Sequence, residues 1–212
     1  MNAGEVGAGH VNASRANQER RDRLRDAAVR VLAGAGGRGL THRAVDAEAG
    51  VPTGTAKNYF PTRDALLRAV AERSLEQYRA VAAALAGAGP GPSDARELAA
   101  LLAGLLRDVA GPGRARTLAY LELQTEATRR PWLAGLLDPI AASDFAAYTH
   151  LLSGAGVPAG PEQVRALTLA LHGALPHLLA GATATLAAAG LDDLDSFTRD
   201  LLAAIDPGET TR

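Results

Sequence analysis

The sequence predicts an all-α protein: an N-terminal three-helix, helix-turn-helix head on a larger C-terminal helical domain. Three observations lead there. Hydrophobic residues make up 47% and aromatics only 4%, with Ala and Leu dominant, a mixture that favours helices over strands. From Leu24 apolar residues recur at i, i+3, i+4, i+7 and i+8, the chain downstream reads as more helices, and no stretch reads as a strand. Near the front, two short helical stretches meet at a glycine, Gly50. At 212 residues the chain is long enough to bury a sizeable core.

The elements follow in order. Residues 1–17 are rich in Gly, Asn, Ala and Ser without periodicity, and composition alone reads them as a mobile tail. Leu24, Ala27, Ala28, Val31 and Leu32 then form one helical stripe, with Arg20, Arg21, Arg23, Arg25 and Arg30 off it. The glycine cluster at 34–39 ends this helix. It spells G-x-G-x-x-G, but follows a helix rather than a strand, so it is no dinucleotide fingerprint. Thr41 caps a short helix from His42 to about Ala49. A second short helix runs from about Thr53 to Tyr59, with Val45, Ala49, Ala56, Tyr59 and Phe60 facing the core. Pro61-Thr62 stops it and caps a long helix from Arg63 that carries Leu67, Val70, Ser74, Leu75, Tyr78, Val81 and Leu85. Further helices are expected at 94–110, 114–129, 132–153, 161–189 and 192–205, separated by Gly and Pro. The implied organisation is a tail at 1–17, a head at 18–62, and a body at 63–212 whose first helix connects the two.

Charge is distributed unevenly. Residues 1–60 carry nine Arg and Lys against six Asp and Glu, a net +3; residues 61–212 carry thirteen against seventeen, a net −4. A basic front on an acidic rear suits a small nucleic-acid-binding head. The stretch GVPTGTAKNYF at 50–60 sharpens this. Its small residues permit close approach, its hydroxyls and Lys57 suit phosphates, and Asn58 suits base edges, as a DNA major groove requires.

Residues 20–70 resemble the DNA-binding domain of the TetR family of transcriptional repressors. The resemblance is carried by Thr41 after the glycine loop, Ala49-Gly50-Val51, Gly54-Thr55, Tyr59-Phe60, and Asp64-Ala65-Leu66-Leu67 opening the long helix. It implies that Thr41 and Thr55 hold phosphates and that Thr53, Lys57 and Asn58 face bases. It also implies that Gly54 allows close approach, that His42 and Arg43 lie at the groove edge, and that Tyr59 packs with its ring and reaches a phosphate with its hydroxyl. Two positions depart from the family pattern. Pro52 stands where a capping serine is common, so Thr53 is the expected cap of the second short helix. Asp46 stands where a small apolar residue packs. It is expected to be partly exposed and paired with Arg43, so that Asp46→Ala is neutral or stabilising.

For the body, the resemblance implies a ligand-binding and dimerising domain. Residues 166–191 hold no charged group, yet include His172, Pro176, His177 and many small residues, so burial within the protein or between two copies is expected rather than a membrane span. Leu171, Leu175, Leu178, Leu179, Leu194, Phe197 and Leu201 are the candidate dimer contacts. Tyr120, Leu123, Trp132, Phe145, Tyr148 and His172 are the candidate lining of a pocket for a hydrophobic effector. A symmetric homodimer would set two recognition helices ~34–36 Å apart on double-stranded DNA. No cofactor or metal is expected: cysteine is absent, and His172 and His177 are five apart, on different helix faces. No hydrolase, zinc-protease, nucleotide-loop or di-iron motif occurs, so an enzyme is not expected. No basic-plus-apolar leader is visible, which makes the cytoplasm the expected compartment. The reading is a repressor released from a near-palindromic operator by a small molecule. The alternatives are a helical interaction scaffold or an all-helical enzyme, both indifferent to changes at 53–59.

Overall fold

The computed structural model describes residues 3–87 and 89–205, with side chains from residue 14 onward except 85 and 86. The side chain of Leu85, residues 1–2 of the expected tail and 206–212 of the body therefore lie outside the described residues. All described regular structure is helical: α1 (Ala3–Gly39), α2 (His42–Ala49), α3 (Thr55–Tyr59), α4 (Arg63–Gly87), α5 (Ala95–Ala110), α6 (Arg114–Ala127), α7 (Pro131–Gly154), α8 (Pro161–Ala180), α9 (Thr183–Ala188) and α10 (Leu194–Ile205). Helical backbone thus includes most of the segment whose composition reads as a tail.

The chain divides into two compact units. One comprises residues up to Glu76 together with Leu118–Leu136; the other comprises Gln77–Thr117 and everything from Leu137.

In the first unit, Leu24, Ala27, Ala28 and Leu32 of α1 are buried with Leu40, Val45, Ala56, Phe60, Leu66, Leu67 and Val70. Four of the five positions that the spacing predicts are thus buried, Val31 being half-buried, and α2, α3 and the start of α4 close the stripe. Gly36 interrupts α1 at φ 65°, ψ −177°, a left-handed φ that glycine adopts without a β-carbon clash. The turn after it is tied down from two sides. Arg63 Nη1 donates to Leu40 O (3.0 Å) and Nη2 to Gly37 O (2.5 Å). The Gly37 amide donates to Glu122 Oε2 on α6 (3.0 Å). Arg25, off the apolar stripe, is nevertheless buried. Its guanidinium reaches Asp22 Oδ1 (3.0 Å) and Glu76 Oε1 (2.6 Å), while Arg73 Nε reaches Asp26 Oδ1 (2.7 Å), so an ion network joins α1 to α4.

In the second unit, Leu98, Leu102 and Leu106 of α5 form a core with Leu152, Val164, Leu167, Leu171, Leu202 and Ile205. Asp94 caps α5, its Oδ1 accepting from the Glu97 amide at 2.7 Å. The buried Thr198 hydroxyl donates to Ala99 O (3.0 Å), locking α10 to α5. The single helix expected over 161–189 is two helices. Gly181 is extended (φ −70°, ψ 138°), and its amide donates to His177 O at 2.6 Å. A β-carbon there would collide with that carbonyl, so the close approach that ends α8 requires glycine. Among the described residues, no helix is long and apolar enough to cross a membrane.

Candidate functional site

The helix-turn-helix is built by four local devices. Thr41 Oγ1 accepts from the Ala44 amide (3.2 Å) and caps α2. Gly50 takes a left-handed φ of 64° after the last turn of α2. The Gly50 amide donates to Ala47 O (3.2 Å) and the Val51 amide to Asp46 O (3.0 Å), the paired bonds of a Schellman ending. Pro52 O then receives both the amide (3.1 Å) and the hydroxyl (2.6 Å) of Thr55, closing the turn into α3.

The fourth device corrects two expectations. Thr53 does not cap α3; Gly54 occupies the cap position, with φ 95°, and has no side chain to offer. The acceptor comes from the preceding helix. Asp46 Oδ2 accepts from the Gly54 amide and Oδ1 from the Ala56 amide, both at 2.7 Å. Nor is Asp46 partly exposed and held by Arg43: it is 2% exposed, and these amides are its partners. A buried carboxylate is tolerable when its oxygens meet aligned donors, and here they are orphan amides at the start of a helix. A small residue at 46 would leave both amides without an acceptor.

The remaining predicted residues fall into two groups. Thr41, Arg43, Thr53, Lys57 and Asn58 are exposed. Thr41 uses a lone pair for the cap and keeps its hydroxyl hydrogen for an outside acceptor. His42, Gly54, Thr55 and Tyr59 are half-buried and already engaged. His42 Nε2–H donates to Phe60 O (2.5 Å), bracing the end of α3 against the start of α2. Tyr59 stacks obliquely near Phe60, ring centroids 6.3 Å apart, and its hydroxyl donates to Asn17 Oδ1 on α1. Arg21 lies over the Phe60 ring at 5.3 Å, so α1 covers the outer end of α3 as well as the core. Asn17 and Arg21 carry no local motif that marks them for this role.

The six expected effector residues divide between the two units. Tyr120, Leu123 and Trp132 lie in the first. Leu123 is buried, Tyr120 accepts from Gln124 (2.9 Å), and Trp132 packs under the Arg68 guanidinium at 4.8 Å. Phe145, Tyr148 and His172 lie in the second unit and border its core, where His172 Nε2–H donates to Asp144 Oδ2 at 2.8 Å. Of the expected dimer contacts, Leu171 and Leu179 are buried within the chain's own core. Leu175, Leu178, Leu194, Phe197 and Leu201 are half-buried against it. The large apolar side chain of α8 that does stand out is Leu169, 63% exposed.

Comparison with known proteins agrees with this architecture. Residues 24–70 match the family described as bacterial regulatory proteins, tetR family, and residues 93–205 match the tetracyclin repressor-like C-terminal domain. Among solved structures, a member of the TetR family from Streptomyces coelicolor is 32% identical, with 89% of this chain and 99% of that chain covered and a TM-score of 0.62. The multidrug binding protein EbrR complexed with malachite green is 32% identical over 89% of this chain and 99% of its own, with a TM-score of 0.61. The same protein complexed with ethidium is 33% identical over 88% and 98%, with a TM-score of 0.60. No curated relative matches the chain in sequence. The chain belongs to the TetR family of regulatory proteins, with a helix-turn-helix DNA-binding domain followed by a family-type C-terminal domain.

Proposed function

We propose that this protein is a transcriptional repressor that binds a near-palindromic operator as a homodimer and leaves it when a small hydrophobic effector binds the C-terminal domain. The observation that carries the reading is the Asp46 cap. It fixes a five-residue helix to the helix before it and leaves Thr53, Lys57 and Asn58 outward, the small, cationic and amide-bearing set that base edges and phosphates require. Thr41 and Arg43 flank that surface for backbone contacts, and Tyr59 joins them by exchanging its Asn17 bond for a phosphate. The EbrR complexes with malachite green and ethidium support a small-molecule effector for a chain of this similarity. By linkage, the effector releases DNA only if it binds the released conformer more tightly than the DNA-bound one. Such a protein works where the DNA is, in the cytoplasm.

In vitro selection of genomic fragments, at one fixed salt concentration, tests the reading. Wild-type protein should enrich a palindromic sequence, and the Lys57→Ala/Asn58→Ala double variant should lose it. An unchanged selection by the double variant would overturn the recognition surface. No enrichment by wild type, with or without cell extract, would favour a helical scaffold or enzyme.

A further inference from the structure

The inner stripe of α7 runs Leu137, Ile140, Asp144, Tyr148, Leu151 and Leu152, at helical spacing. One member is charged. Asp144 occupies a register position that its neighbours use to reach the core, and its side chain is only 16% exposed. Three groups surround its carboxylate. The Tyr78 hydroxyl of α4 donates to Oδ1, and His172 Nε2–H of α8 donates to Oδ2 at 2.8 Å. Tyr148 stands one turn further along α7; burial, and then the Asp144 charge, push its phenol well above the ordinary tyrosine range. Phe145 adds an aromatic ring from the next position. Among the described residues, no Arg or Lys forms an ion pair with Asp144. The part of α8 that carries His172 holds no charged residue from 166 to its end at Ala180.

A half-buried carboxylate without a fixed cation is costly unless something offsets it. Here the offset comes from a histidine and a phenol, both of which rotate away without leaving a buried charge of their own. What remains after they leave is a carboxylate beside aromatic side chains in an apolar surround. That chemistry rewards one ligand class: an organic cation gains the carboxylate as counter-ion and the ring faces as cation–π partners, while a neutral isostere gains only apolar burial and an anion is repelled.

We propose that the effector is a lipophilic organic cation, bound with its charge against Asp144 after displacing His172 and Tyr78. The inference rests on the effector-responsive reading above and specifies its ligand. Tyr78 gives the displacement a consequence. It lies on α4 two residues beyond Glu76, the α4 end of the ion network with α1, so freeing its hydroxyl changes what holds that helix.

The test is isothermal titration of the full-length protein with tetraphenylphosphonium and benzyltrimethylammonium, against tetraphenylborate and the neutral isostere neopentylbenzene. Wild type should bind at least one cation roughly tenfold or more tightly than its uncharged or anionic counterpart. Asp144→Asn keeps the shape and one of the two acceptor oxygens but loses the charge, and it should lose that preference while still binding the selected DNA. Equal affinity for charged and neutral isosteres, no binding of either cation, or an Asp144→Asn variant that keeps the preference would overturn the proposal. The wild-type comparison decides even if Asp144→Asn fails to fold. DNA binding is measured alongside: an intact operator complex without cation selectivity sinks this inference alone, whereas absent DNA binding sinks the regulator reading.

Discussion

Removing the Asp46 carboxylate strands the amides of Gly54 and Ala56 at the start of α3. A lost cap costs about 0.5–2 kcal/mol and a stranded buried donor about 1–3. Asp46→Ala is therefore expected to destabilise the protein by about 2–3 kcal/mol in urea unfolding, and to weaken DNA binding in parallel, because α3 loses its anchor. Asp46→Asn keeps one acceptor oxygen and should lose about half as much. Equal stability of wild type and Asp46→Ala would remove the cap from the account. A second prediction concerns Gly37. Its added β-carbon would collide with the Glu126 carboxylate, which is buried and held by Arg130. Gly37→Ala should lower the urea midpoint by the equivalent of about 1–2 kcal/mol, the usual cost of overpacking. Glu126→Gly in the same background should recover part of the loss.

At the scale of elements, the joint between α1 and α4 is electrostatic as well as apolar. Burial alone would raise the Glu76 carboxyl, but hydrogen bonds and charge from Arg25 and Arg73 outweigh it and hold the group below its ordinary 4.5. Asp22 behaves the same way against an ordinary 3.8, with Gln18 and Arg25 outweighing burial. Both are depressed in the folded state, so the unfolded chain takes up their protons first. The stabilisation is complete above about pH 4.5 and is lost as pH falls through the lowered folded values. Wild type should therefore show a urea midpoint that drops steeply below about pH 4.5, and Glu76→Gln should drop less over that window. Parallel pH profiles would exclude the network as the cause. Element boundaries tell a related story. The α2 span and its Thr41 cap were legible because each signal lies within four residues. The break at Gly181 was not, because it depends on how near the His177 carbonyl lies.

For the whole molecule, the proposed homodimer needs a surface that a single chain leaves uncovered. Leu171 and Leu179 are spent on the core, whereas Leu169 stands exposed on α8. Leu169→Glu is expected to shift the protein toward monomer in sedimentation velocity at micromolar concentration, with the helical circular dichroism unchanged. A dimer that survives this change would place the symmetry contact on another surface. DNA binding supplies a second whole-molecule readout. Lys57→Ala should flatten the slope of log affinity against log salt by about 2, because a homodimer on its operator loses one phosphate contact from each protomer.

The sequence by itself determined the helical class, the place of the helix-turn-helix, the caps at Thr41 and Thr62, and the exposed set Thr53, Lys57 and Asn58. These follow from spacing and from residue preferences acting over one or two turns, which one-dimensional reading captures. Tertiary structure decided the rest. Asp46 looks like a misplaced charge until α3 is folded onto α2 and its amides come within 2.7 Å. Arg25 lies off the apolar stripe yet is buried, because Glu76, fifty-one residues away, comes to meet it. Asp144 is marked by nothing in the chain and is the one charge on the inner stripe of α7 in the fold, where Tyr78 and His172 arrive from distant helices. The physical reason is common to all three: the free energy of a buried polar group depends on partners that only chain folding brings within hydrogen-bond range.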